Sequence, residues 1–370
     1  MAYLGEQIPK LGFGLMRLPK TEDGKTTDLE QVKLMVDEFL TAGGTYFDTA
    51  RAYGSSETDI RQALVERYPR ESYQLATKNA CWMGAQSAEE ARAMFDTSLK
   101  ETGAGYFDFY LIHNIGGNRT AVFDKFEMWD FVKQLKADGK VKHIGLSAHT
   151  TADDLDAVLN AHPEMEFVQL QINYADWKDG NVQSRQCLEV CAKHGLPVII
   201  MEPVKGGTLA NPPQQVVDVL KEADPKASVV SWALRFCLDI PNIITVLSGM
   251  SSIDQMRENL ATWKSHEKLT EDQLATLKLA QEKLAELIEV PCTNCGYCTK
   301  GCPVNMNIPG MMETINLTAL YGVERGRGNY GWACQGVKAG ECIQCGCCEA
   351  VCPQSIPIIS KLEKASALFD

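Results

Sequence analysis

The sequence predicts a parallel (β/α)8 barrel, a TIM barrel, followed by a small, mainly helical domain rich in cysteine. Three observations predict it. Short apolar, β-branched or aromatic runs alternate eight times with helical patterns of ten or more residues. Ten of the 14 cysteines lie at or after Cys292. The net charge of -12 falls wholly on residues 1–290, because residues 291–370 hold six Lys/Arg and six Asp/Glu. These shifts divide the chain into a barrel (1–265), a linking helix packed on it (266–290) and a cysteine domain (291–370).

Composition is ordinary for a globular chain, 45% hydrophobic and 23% charged. No run approaches the ~18 uncharged apolar residues of a membrane helix. The acidic balance argues against nucleic acid or an anionic membrane as partner. The opening Met1-Ala2-Tyr3-Leu4-Gly5-Glu6 shows no basic stretch before an apolar block, so a cytoplasmic location is expected. In that reducing setting the cysteines hold metal rather than form disulfides.

The predicted strands are Leu11–Leu18, Thr45–Thr49, Tyr73–Asn79, Phe107–His113, His143–His149, Phe167–Asn173, Pro197–Pro203 and Ile243–Gly249. The helices between them are Leu29–Thr41, Ser56–Glu66, Ser87–Thr102, Phe123–Ala137, Ala152–Ala161, Val182–His194 and Ala227–Leu238, with Ser252–Trp263 after the last strand. A doubly wound sheet would want G-x-G-x-x-G after its first strand, and Gly12-Phe13-Gly14 has no third glycine at that offset. Thr270-Glu271-Asp272-Gln273 is a capping box, and Leu274, Leu277, Leu284 and Leu287 follow at helical spacing.

A parallel barrel collects its chemistry at the C-terminal ends of its strands. Asp48 ends the second predicted strand, with Tyr53 in the loop after it; Lys78 ends the third and His113 the fourth. Each alone reads more simply as a cap, a loop anchor, a surface cation or a core histidine. Together they make a proton donor for an oxygen that becomes an alkoxide as hydride reaches its carbon. The lysine is expected to pull the phenol pKa down from about 10, the aspartate to keep the lysine charged, and a neutral histidine to orient the carbonyl oxygen.

The segment Phe47-Asp48-Thr49-Ala50-Arg51-Ala52-Tyr53-Gly54, with Ala76-Thr77-Lys78 and Leu111-Ile112-His113, resembles the aldo-keto reductases. The resemblance covers roughly residues 1–265. It implies a barrel closed at its base by an N-terminal hairpin, binding NADP or NAD without a Rossmann fold. It implies Tyr53 as proton donor and Asp48, Lys78 and His113 as the other tetrad members. Ser147 and Gln169 match the groups that hold the nicotinamide carboxamide, and Ala148 stands where the family usually has Asn. Met201 stands where many members stack an aromatic ring on nicotinamide. The backbone N–H groups of Met250, Ser251 and Ser252, at a helix start that leads into Gln255, can bind a phosphate, and Glu258 and Asn259 match the family's adenine contacts. Gly249 and Gln255 replace cations that commonly grip a 2′-phosphate, and Arg257 reads as a surface residue.

The cysteine domain carries a second chemistry. Cys292-x2-Cys295-x2-Cys298-x3-Cys302-Pro303 returns as Cys342-x2-Cys345-x2-Cys348-x3-Cys352-Pro353. This duplicated run is the spacing of two [4Fe-4S] clusters, in which the fourth cysteine reaches across to the other cluster. Cys292, Cys295, Cys298 and Cys352 then hold one cluster, and Cys342, Cys345, Cys348 and Cys302 the other. A structural zinc site would use two cysteine pairs and leaves the triple spacing unexplained. The region is similar to two-cluster ferredoxins, with an expected helix over 308–321 and a glycine-rich loop over 322–331. Cys334 and Cys347 are left over, Cys347 reading as a buried spare thiol, and Cys187 and Cys191 read as packing. Arg325 and Arg327 would suit a small acidic electron-transfer protein, a solvated loop being the plainer account.

Hydride transfer moves two electrons and a cluster moves one, and no flavin motif is recognisable to join them. Three readings follow. The first is an NAD(P)H-dependent oxidoreductase interconverting a carbonyl and an alcohol, its clusters serving accessory electron transfer, sensing or structure. The second is an iron–sulfur electron-transfer oxidoreductase that needs its clusters for turnover. The third is a non-catalytic dinucleotide-binding redox sensor.

Overall fold

A computed structural model describes residues 2–180, 182–334 and 336–370. Eight parallel strands close into a barrel, each hydrogen-bonded to the next and the last to the first. They are β1 (Leu11–Gly14), β2 (Tyr46–Asp48), β3 (Gln74–Asn79), β4 (Phe107–Ile115), β5 (Val141–Ala148), β6 (Phe167–Gln171), β7 (Val198–Met201) and β8 (Ile243–Ser248). All eight lie on the runs that the alternation marked. The predicted first strand is shorter than expected, because a 3-10 turn takes over at Leu15–Arg17. An antiparallel hairpin, Ala2–Tyr3 with Glu6–Gln7, precedes the barrel.

Strand parity builds the interior in layers. Tyr46, Ala76, Phe109, Phe167 and Ile199 are buried in one inner cluster with Leu111 and Ile244. Side chains in a strand alternate faces, so the residue two positions on points the same way. Two positions on from those core residues stand Asp48, Lys78, Gln169 and Met201, and His113 follows Leu111 likewise. The lower layer is therefore apolar packing, and the upper layer is the site. Gly145 is required by this arrangement: a Cβ there would lie 2.6 Å from the Phe167 ring. Two positions beyond it, Ser147 joins the upper layer.

The outer faces of the strands pack on the helices through Phe13, Phe39, Phe47, Phe107, Tyr110 and their neighbours. The predicted helix over 123–137 is two helices, Asn118–Lys125 and Met128–Ala137, broken at Glu127, whose φ is +54°. The run 56–66 is α-helical at Ser56–Ile60 and widens to a π turn at Arg61–Val65. A helix at Gln214–Ala223, not read from the sequence, packs on helix Glu271–Glu286. The capping box at Thr270 and Gln273 is formed.

By internal contacts the chain forms two units. One holds residues up to Gly206 and Val230–Leu269; the other holds Gly207–Val229 and Thr270–Asp370. The second unit has its own core, built on Met306, Ile308, Met311, Ile315, Tyr330, Ile358 and Leu362. Helix Ile308–Tyr321 forms as expected. The expected glycine-rich loop is instead helix Val323–Cys334. Gly326 serves close packing: a Cβ there would lie 1.9 Å from Thr318 Oγ1 on the preceding helix. Asn329 Nδ2 donates to Thr314 Oγ1 at 2.8 Å across the same contact. The higher helix propensity of alanine cannot offset such a clash, so Gly326→Ala should destabilise this unit by about 1–3 kcal/mol. Chemical unfolding followed by cluster absorbance would show it as a lowered midpoint.

Candidate active site and cluster sites

The tetrad residues come together. Lys78, 1% exposed, lies 2.5 Å from Asp48 Oδ1 and donates to the backbone oxygen of Thr49 at 2.7 Å. Its Nζ stands 3.4 Å from the Tyr53 hydroxyl and 4.8 Å from the ring centre. The Tyr53 and His113 rings meet edge-on at 5.8 Å. Trp82 donates its indole N–H to the His113 backbone oxygen at 3.0 Å.

The loop that carries Tyr53 is braced from below. Glu57, fully buried, accepts from Thr77 Oγ1 at 2.7 Å and from Arg51 Nη1 at 2.5 Å. Arg51 also pairs with Glu101. Thr77 precedes Lys78 and Arg51 precedes Tyr53 by two, so one carboxylate ties the lysine strand to the tyrosine loop.

Electrostatics differ from the sequence expectation at one point. Burial raises the Tyr53 pKa, and this outweighs the lowering by Lys78. The expected net fall is therefore not found, since the phenol sits in a poorly hydrated mouth where its anion is disfavoured. The phenol keeps its proton at neutral pH. Burial opposes the charge on Lys78, but Asp48 and Tyr53 prevail and its pKa is raised. Burial raises Asp48 against Lys78 and Gln169. Burial and the Lys78 charge hold His113 well below the usual histidine value, so its ring is neutral.

Asp48→Asn would leave the buried Lys78 without its counter-charge, a loss of about 3–5 kcal/mol in stability. Burial would then pull the lysine pKa down. The folded state would bind fewer protons than the unfolded one, so the variant's stability should rise with pH. Thermal unfolding between pH 6 and 9 measures this, and a flat profile would contradict it.

An open cavity of about 1140 Å³ joins these groups. Asp48, Tyr53, Lys78, His113, Ser147, Gln169 and Met201 all line it. Gln169 Oε1 is buried without a partner. Ser147 Oγ accepts the Asn114 backbone N–H at 2.8 Å, which leaves its own O–H to donate. An acceptor and a donor side by side at the cavity wall fit a carboxamide.

The other nucleotide candidates do not line the cavity. Met250 is buried in the core. Ser251 N donates to Gln255 Oε1 at 2.7 Å, a bond an incoming phosphate would have to displace. Ser252 caps helix Ile253–Lys264 by accepting from Gln255 N. Glu258 is exposed, and Asn259 is buried and donates to Ser248 Oγ at 3.0 Å. Arg257 pairs with Glu38 at the surface, as read.

The lining residues that escaped the sequence reading include Arg17, Trp82, Asn114, His149 and Glu202. His149 and Glu202 carried a signal, being polar residues next to strand ends. Arg17 and Glu202 meet across the mouth at 3.5 Å. Burial lowers the His149 pKa, opposed by the Glu202 charge.

The cysteines form two separate cradles. Cys292, Cys295, Cys298 and Cys352 line one void of about 350 Å³. Cys302, Cys342, Cys345 and Cys348 line another of about 330 Å³. A tetrahedral zinc site draws sulfurs to ~2.3 Å from one ion. Voids walled by four sulfurs fit a polynuclear cluster. Cys347 is exposed rather than the buried spare thiol expected, because it opens the short helix Cys347–Ala350 at the surface. Cys187 and Cys191 are buried, and burial pushes the Cys187 thiol up to about 11, as suits packing.

Residues 10–282 match the aldo/keto reductase family model. The chain belongs to the aldo/keto reductase family. Residues 291–357 match a 4Fe-4S dicluster domain. This oxidoreductase is 27% identical over 277 residues to an aldo-keto reductase of Mycolicibacterium vanbaalenii, covering 73% of this chain and 87% of that one. It is 26% identical to the NADH-specific methylglyoxal reductase of Escherichia coli, covering 63% of this chain and 83% of the relative. In fold it is similar to an aldo-keto reductase of Bacillus halodurans in its holo form, with TM-score 0.60 and 23% identity over 75% of this chain and 93% of the other. An aldo/keto reductase of Klebsiella pneumoniae in complex with NADP and acetate also has TM-score 0.60, at 22% identity over 74% of this chain and 92% of the other. Among the described residues no helix is long and apolar enough to cross a membrane.

Proposed function

We propose that this aldo/keto reductase uses NADP or NAD to interconvert a small carbonyl compound and its alcohol, with Tyr53 as proton donor. The observation that carries the reading is the Tyr53 hydroxyl 3.4 Å from the buried Lys78 ammonium, in a cavity shared with His113. When bound, the reduced nicotinamide supplies hydride. Gln169 and Ser147 hold its carboxamide, and Met201 packs on its ring, a softer support than an aromatic one. His113, neutral, orients the carbonyl oxygen. Tyr53 Oη gives its proton to that oxygen, and Lys78 stabilises the phenolate left behind. Asp48 holds Lys78 in place and charged. Trp82 helps keep water from the reacting oxygen. Met250, Ser251, Ser252, Gln255, Glu258 and Asn259 serve the rest of the nucleotide.

In the second unit Cys292, Cys295, Cys298 and Cys352 hold one [4Fe-4S] cluster, and Cys342, Cys345, Cys348 and Cys302 the other. The clusters supply one-electron transfer and brace a small core. The residue boundaries 1–265, 266–290 and 291–370 separate the two chemistries and their connecting helix.

The test is anaerobic turnover. NADPH or NADH oxidation should depend on an added carbonyl, and should persist in a full-length Cys298→Ser, Cys348→Ser variant whose clusters are lost. Loss of turnover in that variant would favour clusters as obligatory electron carriers. Nucleotide binding without turnover on any carbonyl would favour a sensor.

A further inference from the structure

The duplicated cysteine frame allows an internal comparison, since residues 50 apart in the two copies occupy matched places. Thr299 follows Cys298, and Glu349 follows Cys348. Pro309 lines the first void and Ile359 the second, again at matched places. Proline has no N–H, whereas Ile359 donates its backbone N–H to Glu349 Oε1 at 2.8 Å. One carboxylate is thereby fastened to the wall of the second void. Among the described residues no Lys or Arg pairs with Glu349. Matched to it stands Thr299, which carries no charge. Other differences run the same way. Lys300 is matched by Ala350, Thr293 by Ile343, and Val304 lines the second void where Gln354 lines the first. Two further acids cancel. Glu313, near Cys292, is matched by Glu363, which accepts from Gln344 beside Cys342 at 3.0 Å.

Cluster potential follows net charge and hydrogen bonding around the sulfurs. Reduction adds one negative charge to a cluster. A fixed carboxylate opposes that charge.

We infer that the two clusters are unequal, the one held by Cys292, Cys295, Cys298 and Cys352 being reduced before the one beside Glu349. This rests on the cysteine assignment above. Electrons entering the second cluster pass to the first: one electron leaves the reduced second cluster and enters the oxidised first, with no proton moved. Ile308 lines both voids and is the shared wall across which it travels.

The experiment is stepwise reduction of the full anaerobic chain with dithionite at controlled potential, read by electron paramagnetic resonance. Two one-electron waves are expected, with at least tenfold preference for the first cluster, about 59 mV for one electron. Glu349→Gln keeps the acceptor for Ile359 and removes the charge. It should raise the lower wave and leave the upper in place. Thr299→Glu should lower the upper wave and narrow the gap. Coincident waves, or a Glu349→Gln shift in the upper wave alone or in neither, would overturn the inference while leaving the assignment intact. Iron and sulfide analyses run alongside. A chain holding fewer than two clusters would overturn the assignment and the inference together.

Discussion

Tyr53→Phe should abolish carbonyl reduction and leave dinucleotide binding intact. The substitution removes one oxygen from a ring that keeps its edge contact with His113. Positioned general acids contribute typically 10²–10⁴-fold, so kcat should fall by about that factor. The groups that face a carboxamide, Ser147 and Gln169, are not disturbed, so nucleotide affinity measured by fluorescence should stay within about twofold. The pH profile follows from the directions of the shifts. Reduction needs the protonated phenol, and burial holds that proton on at neutral pH and beyond. The rate should therefore be level through neutrality and fall only as pH rises through a Tyr53 value above 10. His113 is lowered, so it stays neutral until the solution is well acid. A wild-type rate that falls between pH 6 and 8 would contradict both shifts. A Phe variant retaining more than a tenth of the rate would remove Tyr53 from the role of donor.

Cys302→Ser should cost the chain the cluster of the second cysteine triple, although Cys302 lies 40 positions before Cys342 in sequence. Cys302 lines the void with Cys342, Cys345 and Cys348, and not the void of its own triple. Iron per chain should fall by about half, and Cys352→Ser should do the same to the other site. The two variants should then be distinguishable by resonance spectrum, each retaining the signal the other has lost. Both voids are walled by residues of the same small core, Ile308 and Ile358 among them. Loss of a resident metal group removes binding free energy that also serves folding, so the second unit should unfold more readily in each variant. If Cys302→Ser instead removed the cluster of Cys292, Cys295 and Cys298, each run would be a closed four-ligand site and the crossed assignment would fail.

Much of this was legible from residues alone because period and spacing are local. Helices Leu29–Thr41 and Ala152–Ala161 end where the sequence pattern ends them. Ser87, Ser252 and Thr270 cap their helices because a short hydroxyl side chain reaches the third backbone N–H on. Val323–Cys334 misled for a physical reason: six of its twelve positions are glycine or charged, which reads as loop until the helix against it is known. Gly326 is glycine because Thr318 lies there, and no local rule contains that distance. Helix Gln214–Ala223 follows Pro212-Pro213, a pair that reads as the end of a loop and equally as a helix start.

The sequence by itself determined the barrel, the three polar residues at successive strand ends with a tyrosine in the loop after the first, and the two cysteine runs. Each of these is a matter of residue type at a fixed interval along one chain. Tertiary structure alone decided that Tyr53 keeps its proton, since its burial outweighs the lysine beside it. It alone brought His149 and Glu202 into the cavity and bonded Glu349 to the backbone of Ile359. Burial and contact depend on what the rest of the chain places around a residue, and no spacing along the sequence carries that information.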